Sequence, residues 1–99
     1  MAMNMNEMLK KAKRLQAEMD AKEKEIQIKE FLVEKQGISV VISGLRKIKS
    51  IKINEALIDP DDPELVQDLV MLAVNEALEK VDEAYSELED QYSASGLPF

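Results

Sequence analysis

The 99-residue sequence contains no cysteine, no histidine and no tryptophan. Without thiols and imidazoles, disulfides, the common zinc sites, a thiol nucleophile and the most frequent general base are excluded together. A cysteine-free chain suits a reducing compartment. No apolar run approaches the roughly 18 residues of a membrane span. The stretch from Met1 to Leu15 is too charged and interrupted for a signal peptide. These absences predict a soluble, cytoplasmic protein with no membrane partner. The length suits one domain over residues 1–99 and leaves no room for a second core.

Basic residues are nearly absent from the second half. Residues 54–99 carry thirteen Asp and Glu against Lys80 alone, whereas residues 31–53 carry five Lys and Arg against one acid, and residues 1–30 are almost balanced. The net charge of -7 therefore describes neither half, and any anion-binding surface has to lie before Asn54.

Only three glycines and three prolines interrupt the chain, so its elements are long. Met5, Met8, Ala12, Leu15 and Met19 recur at spacings of three and four and predict a helix over 4–25, with Asn4 or Asn6 as its cap. Lys22 weakens this seam, and the run from Ala21 to Glu25 favours continuation. From 26 to 53 β-branched residues dominate, and Gly37 and Gly44 divide them into strands at 27–35, 38–43 and 46–53 of an antiparallel meander. Alternation places Ile38, Val40 and Ile42 on one face. In the third strand it places Ile51 and Ile53 with Lys47 and Lys49, opposite Ile48. Asp62 as N-cap and Pro63 at the first position open a long acidic helix over 63–92, followed by a tail at 93–99.

Such a helix spans about 45 Å, more than a three-stranded sheet covers. Its stripe of Val74, Leu78, Val81, Tyr85, Leu88 and Tyr92 needs a partner beyond the sheet, and the first helix carries a matching one. The predicted fold is therefore α+β, with the two long helices pairing as a protruding arm above the sheet. Open sheet edges and apolar residues on both faces predict a homodimer, through the sheet by preference and through the arms as the alternative.

Little in the sequence supports catalysis. Asp59, Asp61, Asp62 and Glu64 lack the ligand series and glycine of a calcium loop and read as helix-start residues. No nucleophile elbow, phosphate-cradling glycine loop or metal signature occurs, so no metal, cofactor or catalytic residue is expected. Tyr85 and Tyr92 sit at seam positions and read as packing residues. Met3, Met5 and Met8 read as seam residues, with an adaptable binding surface as the alternative.

Two basic groups remain, Lys10, Lys11, Lys13 and Arg14 on the first helix, and Arg46, Lys47, Lys49 and Lys52 on the third strand and the turn before it. Either has the charge and donors to contact phosphates without reading sequence. Four basic residues on a helix are more often a solubilising face, but a symmetric dimer doubles the patch, which favours DNA.

The segments Asn6-Glu-Met-Leu-Lys-Lys-Ala-Lys-Arg-Leu-Gln-Ala-Glu-Met19, Lys49-Ser-Ile-Lys-Ile53, Leu57-Ile-Asp-Pro-Asp-Asp62, Leu65-Val-Gln-Asp-Leu-Val-Met-Leu-Ala-Val-Asn-Glu-Ala77 and Gly96-Leu-Pro-Phe99, in this order, resemble the YbaB/EbfC family of bacterial nucleoid-associated proteins. The resemblance implies a tweezer-like homodimer with helical arms that binds duplex DNA with little or modest sequence preference and alters its conformation. It also implies a nucleoid-associated location, no catalytic activity, and a DNA-contact role for Lys10, Lys11, Lys13 and Arg14. For Arg46, Lys47, Lys49 and Lys52 that role is read from charge alone. The acidic final helix and Met-lined arms support a second reading, a protein-interaction or scaffold dimer with weak or no DNA affinity.

Overall fold

Asn4 opens the first helix, its side-chain Oδ1 accepting the Glu7 backbone N–H at 2.8 Å, one of the donors a helix start leaves unpaired. In the computed structural model, which describes residues 4–93, this helix, α1, runs Met5–Ile28. The expected end at 25 and the expected strand start at 27 are both corrected here. Ile26 joins Leu15 and Met19 in packing against Leu88 and Tyr92, and only a continued helix brings it onto their face. That tertiary contact outweighs the β preference of Ile26 and Ile28. The Lys29 N–H closes the helix on the Ile26 carbonyl at 3.1 Å.

Three strands follow as an antiparallel meander, β1 Glu30–Lys35, β2 Ile38–Ser43 and β3 Ile48–Ile53, with β2 in the middle. Gln36 and Gly37 turn the first hairpin with φ of 49° and 89°, backbone of the kind two-residue hairpin loops require. The third strand begins at Ile48 and not at 46, because Arg46, at φ 62°, belongs to the turn.

A register shift corrects the expected facing of Ile48. Val41 pairs with Ser50 but Ile42 pairs with Ile48, leaving Lys49 as the extra residue of a bulge. The bulge resets the alternation, so Ile48 shares the face of Ile51 and Ile53 with Val40 and Ile42.

Asn54 starts a short 3₁₀ turn, Glu55–Leu57, by accepting the Ala56 N–H at 2.9 Å, and Asp59 accepts that of Asp61 at 2.9 Å. Helix α2 then runs Pro63–Ser93 and begins at the expected proline.

The core lies between α2 and the first two strands. Val33, Ile38, Val40 and Ile42 meet Leu69, Ala73, Ala77 and Val81. Each large aliphatic side chain buried there contributes about 1.5–3 kcal/mol. Over the sheet, the buried stripe of α2 differs from the expected one. Ala73 and Ala77 are fully buried, while Val74, Leu78 and Tyr85 flank the core half-buried. Alanine at the contact lets the helix backbone approach the sheet closely. Beyond the sheet, Leu88 and Tyr92 pair with α1 as expected, and the molecule measures 72 × 18 × 14 Å. Met3 and the segment Gly96-Leu-Pro-Phe99 lie outside the described residues.

Candidate nucleic-acid interface

The contact between α1 and α2 stops at Leu15, and the preceding residues from Met5 to Arg14 are exposed. This free half of α1 carries Lys10, Lys11, Lys13 and Arg14, none of which forms an ion pair among the described residues. Spacing of three and four puts Lys10, Lys13 and Arg14 on the side of the helix opposite Leu15, Met19 and Ile26. Lys11 falls on the flank nearer α2. The structure therefore brings this group together on one rod, free of ion pairs among the described residues.

The second group is dispersed. The Arg46 guanidinium turns to α2, donating to Asp82 Oδ1 from Nη2 at 2.7 Å and from Nε at 3.3 Å, with its carbon 5.1 Å from the centroid of the Tyr85 ring. The Tyr85 hydroxyl donates in turn to the Gly44 carbonyl at 2.7 Å. Lys47 and Lys49 border a groove with Gln27, Ile28, Glu30, Ser43 and Leu45 near the end of α1. Lys52 lies at the opposite end of β3, beside Lys35 and Asn54. Arg46, Lys47, Lys49 and Lys52 thus form no common patch, and the charge of Arg46 is neutralised in place. Asp82 and Tyr85 are the partners that sequence reading missed, since they stand 36 and 39 positions away and follow no local period.

Gly44 locks this turn to the arm. A Cβ there would stand 1.7 Å from the Ile26 carbonyl oxygen, so only glycine allows the second hairpin to seat against the end of α1.

The acidic face of α2 is equally one-sided. Glu79, Asp82, Glu83, Glu87 and Asp90 border a single open surface, and among the described residues only Asp82 of these has a cation partner. No group of three or more acidic side chains among the described residues is arranged to hold a metal ion.

The sequence pattern of the YbaB/EbfC DNA-binding family matches residues 1–96. The chain belongs to this family. Among YbaB/EbfC relatives, nucleoid-associated protein MARTH_orf159 of Metamycoplasma arthritidis is 68% identical over 95 residues, covering 96% of this chain and 100% of that protein. A nucleoid-associated protein of Mycoplasmopsis pulmonis is 54% identical over 97 residues, 98% of this chain and 97% of its own length. The family description and both relatives' names denote DNA-binding or nucleoid-associated proteins, not enzymes. The fold matches the crystal structure of an uncharacterized Helicobacter pylori protein, HP0035, with a TM-score of 0.66 at 20% identity, over 92% of this chain and 98% of the other. Among the described residues no helix of this YbaB/EbfC chain is long and apolar enough to cross a membrane.

Proposed function

We propose that this chain is a non-enzymatic, nucleoid-associated protein that binds duplex DNA as a homodimer, chiefly through phosphate contacts with little sequence preference, and alters DNA conformation. The observation that carries the reading is the set of four cations within five residues, Lys10, Lys11, Lys13 and Arg14, without an ion pair among the described residues on the exposed half of α1, in a chain of the YbaB/EbfC DNA-binding family. Such a rod presents charge to the sugar-phosphate backbone, which is where sequence-independent affinity originates.

The sheet supports the homodimer. Ile48, Ile51 and Ile53 are 46%, 41% and 37% exposed on the face that carries the core, because α2 lies over β1 and β2 and leaves β3 beside it. At the opposite edge of the sheet, α2 reaches β1 through two side-chain contacts. The Lys80 ammonium donates to the Leu32 carbonyl at 2.8 Å, and Lys35 pairs with Glu76 at 3.6 Å. Ile48, Ile51 and Ile53 thus leave an apolar strip on β3, and a second copy related by a two-fold axis covers it with the same residues. In that dimer each arm carries one basic group.

Fluorescence anisotropy of a labelled duplex tests the reading. If all four cations on both arms engage, log K falls with log salt at a slope of about -7. Charge reversal at Lys10 and Arg14 lowers affinity alike on unrelated sequences. Absence of binding at low salt overturns the proposal and favours the acidic, partner-gripping reading, to which the uncompensated face of α2 then points.

A further inference from the structure

The basic face of α1 does not end at Arg14. Lys24 lies fourteen positions after Lys10, close to four helical turns, and returns to the same side of the rod. Between them, on that side, stand Ala17 and Ala21. Lys10, Lys13, Arg14, Ala17, Ala21 and Lys24 are all exposed, while Leu15, Met19, Lys22 and Ile26 on the other side are half-buried. Lys24 forms no ion pair among the described residues. Lys22, by contrast, is spent within the protein, its ammonium 5.4 Å from the centroid of the Tyr92 ring. The outward face of α1 is thus two cationic ends joined by two methyl groups.

We infer that this face seats in the major groove of duplex DNA, with Lys10, Lys13 and Arg14 on one phosphate strand, Lys24 on the facing strand, and Ala17 and Ala21 over the groove floor. The inference rests on the DNA-binding reading and adds to it the groove, the face and a further contact residue.

Dimensions support the assignment. Arg14 and Lys24 are about 15 Å apart along the helix at 1.5 Å per residue, enough for two flexible side chains to reach across a helix-sized opening. The major groove, about 12 Å wide, admits an α-helix, whereas the minor groove, about 6 Å wide, does not. Alanine at positions 17 and 21 keeps the rod thin where it is deepest. Neither side chain has a donor or acceptor, so base contact on this face is limited to apolar contact such as that with thymine methyl groups. Weak sequence preference follows from the chemistry of the face itself.

Asp20 and Glu25 flank this stripe. The Asp20 carboxylate is held to its own helix, Oδ1 accepting from Gln16 Nε2 at 3.0 Å, but its charge still opposes a nearby phosphate.

The test compares the full-length protein with Lys24→Ala and Asp20→Asn variants on one labelled duplex, across salt. A parallel series uses duplex whose major groove is filled by glucosylated 5-hydroxymethylcytosine, and AT-rich duplex saturated with the minor-groove ligand netropsin. Lys24→Ala is expected to weaken binding and to reduce the salt slope by about 0.9 for each copy in contact. Asp20→Asn is expected to tighten it, a gain that misfolding cannot mimic. Binding is expected to drop on the glucosylated duplex and to persist with netropsin. If the parent protein binds but Lys24→Ala leaves affinity and slope unchanged, or if netropsin abolishes binding while glucosylation does not, the inference falls and the DNA-binding reading stands. If the parent protein binds no duplex, both fall.

Discussion

The hydroxyl of Tyr85 donates to the carbonyl of Gly44 at 2.7 Å, tying the middle of the long C-terminal helix to the turn between the second and third strands. The same turn presses on the end of the first helix through the missing side chain of Gly44. Three elements therefore meet at two residues, and the arm takes its direction from the sheet there.

Removing the tyrosine hydroxyl leaves the Gly44 carbonyl, in a buried residue, without its donor. Tyr85→Phe is expected to cost about 1–3 kcal/mol in urea unfolding with the slope unchanged. Gly44→Ala is expected to cost more, because its methyl meets backbone that belongs to another element and cannot swing aside.

Ala77 is fully buried where the long helix crosses the sheet. Ala77→Leu forces side-chain volume between the two layers and is expected to destabilise by about 1–3 kcal/mol, read from the denaturation midpoint. The same substitution at exposed Ala17 is expected to leave stability within about 0.5 kcal/mol.

The Arg46–Asp82 pair is short at 2.7 Å but exposed, at 49% and 62% of the two side chains. A double-mutant cycle with alanine is expected to return a coupling of about 0.2–1 kcal/mol, smaller in high salt. Because the guanidinium is already engaged, Arg46→Ala is expected to reduce DNA affinity less than Lys10→Ala in the anisotropy assay.

Ile51 lies in the middle of the apolar strip left uncovered on the third strand. Ile51→Lys places a charge in the proposed interface between copies and is expected to shift the light-scattering mass at micromolar concentration from dimer toward monomer. Circular dichroism is expected to stay unchanged, since Ile51 is 41% exposed in the single chain. An unaltered dimer mass locates the interface elsewhere, with the arms as the next candidate.

The elements that follow a local rule were legible in the sequence. Pro63 begins the second long helix, Asn4 caps the first, Gly37 turns the first hairpin, and Ile38, Val40 and Ile42 share the core face. Capping, positive φ and strand alternation act over a few residues, so their chemistry is written in neighbouring letters. The basic group at Lys10, Lys11, Lys13 and Arg14 was legible for the same reason.

What depends on contacts across the chain was decided by the tertiary structure. Ile26 and Ile28 have the composition of a strand, yet Leu88 and Tyr92, sixty or more positions away, reward their stretch for remaining helical. Ile48 changes face because a bulge at Lys49 resets the strand, and no alternation rule announces an extra residue. Arg46 reads as one of four like charges until Asp82 and Tyr85 arrive beside it. Local pattern determined which segments become helix or strand. Long-range packing decided where each ends, which face each residue turns to, and which cations remain free, because those outcomes depend on neighbours that only folding brings together.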